Sequence, residues 1–316
     1  MKKKIVVIGG GNGSALSICA FKEYLDLFEI NAVVSMSDSG GSSGRLRKEF
    51  ITLPAGDIMR AILAMSPYDY QTLKKIFHKN RFTVAGKLAD HNLGNLFLVL
   101  AEKYSGDYML AIKALEQALE ACGQVYPVTL EQTDLVVELS NGDIIEGEHE
   151  IDRPHYGKNL KIQKAWLEPA GQIYPEAQKA IIEADYLIIG PGSFYSSLVA
   201  TLLPVGVKEA ISKSLAKIIY ISGNAREIEG ETGPEKLSEF ISTLEKHLPR
   251  KIDLVVYNAH ELNTEEKRYY EQRKWAHVPC DDENLAEYNV IKVDYEKEGG
   301  GLAPEKLGKI LFQLKI

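Results

Sequence analysis

Short apolar runs alternate with helix-patterned segments along most of this chain, and each run stops at a cluster of glycine and serine. IVVIGGGNG (residues 5–13), NAVVSMSDSGG (31–41), YLIIGPGS (186–193) and KIIYISGN (217–224) share that form. Runs that are apolar on both faces belong to strands covered on both sides, the usual condition of a parallel sheet. The segments between them, such as ALSICAFKEYL (15–25), PAGDIMRAILAMS (54–66) and EKLSEFISTLEKHL (235–248), space their apolar residues as helices do. Strand, turn and helix in repeated order define an α/β fold with a Rossmann-like, doubly wound, mainly parallel sheet. In such sheets ligands bind beyond the carboxyl ends of the strands, and that is where the polar residues concentrate here.

Residues 124–168 break the pattern. VYPVTL, DLVVELSNGDIIEGEHEI and IQKAWLEP are short alternating strands, and NGD at 141–143 marks a tight hairpin. They read as a small antiparallel β insertion within a single domain spanning residues 1–316, because no repeat or low-complexity linker interrupts the chain. DHNLGNLFLVLAEKY (90–104) reads as a buried helix capped by Asp90 or Asn92 and apolar nearly all round. Leu93, Leu96, Phe97 and Leu100 form one stripe, and His91 and Asn95 share another face.

Charge and cysteine usage restrict the partners. A formal net charge of -7 over 316 residues argues against a general affinity for nucleic acid or anionic membrane. Any anion site must therefore be a local one. Cys19, Cys122 and Cys280 stand alone, with no CxxC pair, which gives neither a zinc site nor a disulfide framework. No stretch approaches membrane-spanning length, and the four apolar residues after the basic start are too few for a signal segment. A cytoplasmic protein with no membrane insertion is the expectation.

The glycine-rich loops carry the candidate chemistry. In GGGNG, the amides of Gly11, Asn12 and Gly13 and the start of a helix near Ser14 favour an anion. The motif lacks the last glycine of GxGxxG, so it also reads as a plain strand–helix turn. Asp38 is followed by GGSSGRLR (40–47), a second cradle in which Ser42, Ser43 and Arg45, with Arg47, are available to phosphate. Two such loops side by side suit a diphosphate better than a nicotinamide cofactor, whereas the plainer alternative is a surface loop with solvated arginines. Asp57 either caps the helix it begins or joins Asp38 in holding Mg²⁺ beside phosphates. Ser193 lies in another glycine turn, GPGSFYSS (190–197), with no GxSxG around it and no base tied to it, so a hydrolase is not indicated. Tyr269, Tyr270 and Trp275 read as packing residues or as a platform for a base.

Taken together, GGGNG, SDSGGSSGRLR, PAGDI, HNLGN, GPGSFYSS and GET appear in that order across residues 9–232. This set resembles the YvcK branch of the YvcK/CofD family, the gluconeogenesis factors. The resemblance implies a Rossmann-like fold, commonly dimeric, with a cleft over the strand ends. It also implies binding of a nucleotide sugar of the UDP-N-acetylglucosamine type and a role in carbon metabolism and cell shape. The related CofD enzymes transfer a phospholactyl group from a nucleotide donor with Mg²⁺. Carried over by position, Asp38 and Asp57 match the family's acidic positions near nucleotide and metal, and Gly11, Asn12, Gly13, Ser42, Ser43, Arg45, Asn95, Ser193 and Asn224 fall in the matching ligand loops. The chain departs from the family where GDIRN reads GDIMR, HSLGN reads HNLGN, and a basic Arg-His-Asp stretch before the last helix reads Gly301, Leu302, Ala303. That last change points to weaker discrimination for the sugar.

Three readings follow. A ligand-binding regulator needs the loops but no catalytic base, which is what the sequence displays. A Mg²⁺-dependent transferase of phosphorus-containing groups also needs an acceptor pocket. A nicotinamide-dependent oxidoreductase fits poorly with a second anion loop.

Overall fold

The computed structural model describes residues 2–83 and 86–314. Its centre is a seven-stranded sheet in the order β12-β10-β8-β7-β1-β2-β3, with every neighbouring pair parallel. These strands are β1 (Lys3–Gly9), β2 (Phe28–Val34), β3 (Gln124–Pro127), β7 (Tyr186–Ile189), β8 (Lys217–Ile221), β10 (Leu254–Asn258) and β12 (Val290–Val293). A three-stranded antiparallel sheet, β5-β4-β6, is made by β4 (Asp134–Leu139), β5 (Ile144–Glu146) and β6 (Ile162–Glu168). A short ribbon pairs β9 (Ala225–Glu227) with β11 (Trp275–His277).

The central strands are buried as their composition requires. Ile5, Val6, Ile8, Ile30, Val33, Leu187, Ile188 and Ile218 are at or near zero exposure, so both faces of the sheet are covered. Helix α1 (Gly11–Lys22) packs against α3 (Gly56–Met65) and the last helix, Pro304–Gln313. Between α1 and α3 in sequence lies α2 (Gly41–Phe50). Sequential strands run outward from β1 in one direction and from β7 in the other. The β1–β7 pair is therefore the point where the winding reverses, and the crevice at its carboxyl end is where a doubly wound sheet binds ligand.

Four local expectations are corrected. The expected insertion over 124–168 is shorter, because β3 pairs in parallel with β2 as an edge strand of the main sheet; an edge strand buries alternate residues and so looks antiparallel in sequence. The NGD hairpin does join β4 to β5, with Gly142 at φ 89°. Helix α1 begins at Gly11 rather than near Ser14, since the glycines themselves take the first helical turn. GGSSG is likewise the first turn of α2 and not a free loop. Finally, Asn92 caps the helix Leu93–Ser105, but that helix buries Gly94, Asn95, Leu98 and Val99, while Leu93 and Leu100 are 45% and 60% exposed.

Candidate functional site

A cleft of about 360 Å³ opens at the carboxyl ends of β1, β7 and β8, a size in the range of small-molecule sites. One wall is backbone: Gly11, Asn12 and Gly13 in the first turn of α1, and Pro191, Gly192 and Ser193 in the loop after β7. The two segments meet so closely that a Cβ on Gly13 would lie 2.3 Å from the Pro191 carbonyl oxygen. Glycine is required there because no side chain fits between two main chains. Asn12 Oδ1 accepts from Lys74 Nζ at 2.7 Å. Burial, with Arg60 nearby, pulls the Lys74 ammonium down to about 8.

The opposite wall comes from segments with little motif character. The ribbon places Arg226 and Trp275 at the cleft, the segment after β8 adds Asn224, and Arg153 comes from the end of a short helix, Glu148–Asp152. The indole is held edge-on by Tyr269 and Tyr270, at 5.9 and 5.7 Å between ring centres, and the Arg273 guanidinium lies over it at 5.3 Å. Gly301 and Leu302 line the same cleft, so the sequence departure noted above falls at the site.

Asp152, Glu227 and Glu231 form the acidic part of the lining. Glu231 Oε2 accepts from the amides of Phe194 (2.7 Å) and Tyr195 (3.2 Å), and Oε1 from Tyr195 (3.1 Å) and Ser196 (2.7 Å). Its carboxylate thus occupies the amide-rich turn that follows GPGS. Burial still raises the Glu231 pKa against those bonds. Burial and the adjacent Glu231 push Asp152 up to about 8. Three lining residues keep a buried polar atom with no partner among the described residues: Asp152 Oδ1, Asn224 Oδ1 and Arg226 Nε.

The second concentration of polar groups lies over the ends of β2 and the starts of α2 and α3. Asp38 Oδ1 accepts from the Gly40 amide at 2.9 Å. Ser42 Oγ is shared by His91 Nδ1 (2.8 Å) and Asn95 Nδ2 (3.1 Å), and Asn95 also reaches Ser43 Oγ at 3.4 Å. His91 and Asn95 do act together, as their spacing suggests, but on a serine of the same chain. Asp57 does not cap α3, whose cap position is Ala55 with no side-chain bond. It pairs instead with Arg60, and it lies against Gly10, where a Cβ would stand 2.1 Å from Asp57 Oδ2. The acidic cluster therefore backs directly onto the first glycine loop.

The charges in this cluster follow from enclosure. Burial raises the Asp38 pKa, Asp57 raises it further, and Arg60 opposes both. Burial, then Asp38, lifts Glu148 well above the carboxylate range. Burial works against the Arg60 charge, but Asp57 outweighs it and holds the guanidinium protonated. As a resident metal site the residues do not fit. Arg60 already supplies Asp57 with its positive charge, and no group of three His, Cys, Asp or Glu among the described residues is arranged to hold a metal ion.

Of the residues expected at the site, Gly11, Asn12, Gly13, Ser193 and Asn224 line the cleft, while Asp38, Ser42, Ser43, Asn95 and Asp57 make the neighbouring cluster. Arg45 is in neither; it is exposed and donates to the Ala89 carbonyl at 3.1 Å. Arg47 is buried and ties Asp134 of β4 to the Asp38 and Thr133 carbonyls, a structural use. Arg226, Arg153 and the Asp152–Glu231 pair were not legible in the sequence. GET at 230–232 was the one signal pointing near them.

A doubly wound fold with a cleft at its switch point, walled by two glycine turns, defines an α/β protein of the Rossmann-like class. Residues 5–296 match the family described as 2-phospho-L-lactate transferase CofD. The chain is similar to the gluconeogenesis factor of Bacillus subtilis, at 34% identity over 90% of this chain and 87% of the other. It is also similar to that of Listeria innocua, at 35% identity over 81% and 78%. A crystal structure of a Bacillus halodurans protein of the UPF0052 family superposes with a TM-score of 0.89 at 30% identity, covering 99% of both chains. The chain belongs to the CofD-like family, among the gluconeogenesis factors.

Proposed function

We propose that this chain binds a nucleotide sugar of the UDP-N-acetylglucosamine type in the cleft between β1 and β7, and that it acts in the cytoplasm as a regulator of carbon metabolism and cell shape. The observation that carries the reading is the composition of the cleft. The Gly11–Gly13 turn at the start of a helix presents amides to a phosphate chain, Arg226 and Arg153 supply charge, and Trp275, with Arg273 over its ring, offers an aromatic surface near the base. A magnesium ion in this reading arrives on the ligand's phosphates. With glycine and leucine at 301 and 302, the cleft lacks a charged group there to read the sugar, so UDP and the sugar nucleotide should bind with similar affinity. Calorimetric titration of both, with product analysis after long incubation with Mg²⁺, tests the proposal. Failure of either to bind would sink it, and a large preference for the sugar nucleotide would remove the similar-affinity part.

One observation favours a second reading, transfer of a phosphorus-containing group. Asp152 stands in the cleft wall, where burial and the adjacent Glu231 push it up to about 8, a property suited to general acid–base work. A new phosphorylated product in the same incubations would move the protein to that class. The homodimer implied by the resemblance belongs to the proposal too. Leu93, Leu100 and the 96%-exposed Tyr104 form an outward stripe on one helix, which supports it, and light scattering tests it.

A further inference from the structure

Asn224 lines the cleft and is 7% exposed. Its amide nitrogen donates to the Glu296 carboxylate and, at 3.1 Å, to the Gly301 carbonyl oxygen. A carboxylate and a peptide carbonyl are acceptors. Turning the amide over would set Oδ1 against two oxygens, so its orientation is fixed by chemistry. Oδ1 is the end left over, and it has no partner among the described residues. Buried acceptors without a donor are rare in folded proteins and call for an explanation at each occurrence.

Glu296 explains why the amide is held this way. It is fully buried and forms no ion pair with lysine or arginine among the described residues. It accepts instead from Asn224 Nδ2, Asn258 Nδ2 (2.7 Å), the Tyr270 hydroxyl (3.0 Å) and the Gly301 amide (2.6 Å). A buried carboxylate is tolerated only when donors surround it. These four donors join the segment after β8, the end of β10, the helix Thr264–Gln272 and the loop 295–303. In that loop Gly299, Gly300 and Gly301 all take left-handed φ, between 81° and 105°. The loop therefore closes tightly enough to bring the Gly301 amide onto Glu296 and its carbonyl onto Asn224.

We propose that Asn224 is a specificity-determining residue whose Oδ1 accepts a hydrogen bond from a donor on the bound ligand, and that Glu296 is the positioning residue that fixes this polarity. The inference rests on the nucleotide reading of the cleft. A nucleoside diphosphate offers the donor in two places, the imide N–H of the base and the hydroxyls of the ribose, and one acceptor serves either.

The test uses UDP, N3-methyl-UDP, 2′-deoxy-UDP and 3′-deoxy-UDP in calorimetric titrations of the full chain. Wild type should bind one of the three analogues at least about tenfold more weakly than UDP, because a site built around a hydrogen bond rejects a ligand lacking the donor. Loss on N3-methylation assigns the base, and loss on removing a hydroxyl assigns the ribose. Asn224→Ala should still bind UDP but lose that discrimination; discrimination that survives in this variant overturns the proposal, as does a wild type that treats all four alike. In Glu296→Gln the new side chain can donate as well as accept, which lets the Asn224 amide turn. Selectivity should then vanish while UDP still binds. A uniform loss of affinity with selectivity intact would reduce Glu296 to a structural role. If Glu296→Gln does not fold, Asn224→Ala decides the proposal by the outcomes already given. A wild type that binds no UDP overturns the nucleotide reading itself, a result distinct from binding without discrimination.

Discussion

The acidic cluster around Asp38 and the cleft beside it contain similar residue types, yet in the first those residues face one another and in the second they face an open space. In the cluster, Asp57 holds Arg60, Ser42 holds His91 and Asn95, and the Gly40 amide holds Asp38. Arg60 Nε and Asn95 Oδ1 in the cluster, like Asp152 Oδ1, Asn224 Oδ1 and Arg226 Nε in the cleft, are buried polar atoms without a partner among the described residues. It is the cleft, however, whose walls stand apart, around a space of about 360 Å³. Motif density and internal pairing mark the first region, and space between the walls marks the second. The lesson is that glycine-rich, charged stretches can serve internal cohesion beside a cleft rather than line it.

Breaking the closed cluster should give the largest effect. Asp57→Ala leaves the Arg60 guanidinium, only 17% exposed, without its partner. Loss of one member of a buried pair costs about 3–5 kcal/mol. Chemical denaturation should show a stability drop of that order, and a drop near zero would mean that the cluster is not held by this pair. Any change in UDP affinity should be secondary to the loss of stability.

The cleft should respond in the opposite sense. Arg226→Ala removes a charge from the wall, so stability should stay within about 0.5 kcal/mol of wild type. UDP binding should weaken by about tenfold or more, the equivalent of the 1.5–3 kcal/mol of a charge-assisted bond. Arg45→Ala, at the exposed position bonded to Ala89, should move both quantities by no more than about 0.5 kcal/mol. Equal binding losses in the two variants, read by calorimetry, would erase the distinction between the regions.

A separate expected effect is on pH dependence. Asp152 is raised from its ordinary 3.8 to about 8, by burial and then by Glu231. Between those values the folded state holds a proton that the unfolded state has released. The stabilisation is therefore present at low pH and lost as pH rises through the folded value. Melting temperature should fall as pH rises through this window, and Asp152→Asn should flatten that slope. A slope unchanged in the variant would assign it to other groups.

How much of this was legible in the sequence depends on the range of the forces involved. The parallel sheet was, because IVVIG, AVV, YLII and KIIYI are apolar on both faces, and burial on both sides is a property of a strand's own residues. The glycine turns at Gly11–Gly13 and Pro191–Ser193 were too, because close main-chain approach demands glycine at fixed offsets from a strand. The role of Arg45 was not, since an exposed helical arginine and a phosphate-binding one look alike in a string of letters. Nor was the exposure of Leu93 and Leu100, which depends on which face of a helix a neighbour covers.

By itself, then, the sequence determined the layered α/β architecture, the strand ends at which polar residues gather, and the family. Tertiary structure alone decided that β3 joins the main sheet, that Arg60 pairs with Asp57, and that Arg226 and Trp275 line one cleft with the glycine turns. The physical reason is the distance along the chain. Local pattern fixes how a segment folds, whereas Asn224 meets Glu296 and Gly13 meets Pro191 only after segments 72 and 178 residues apart have been brought together by burial of the sheet between them.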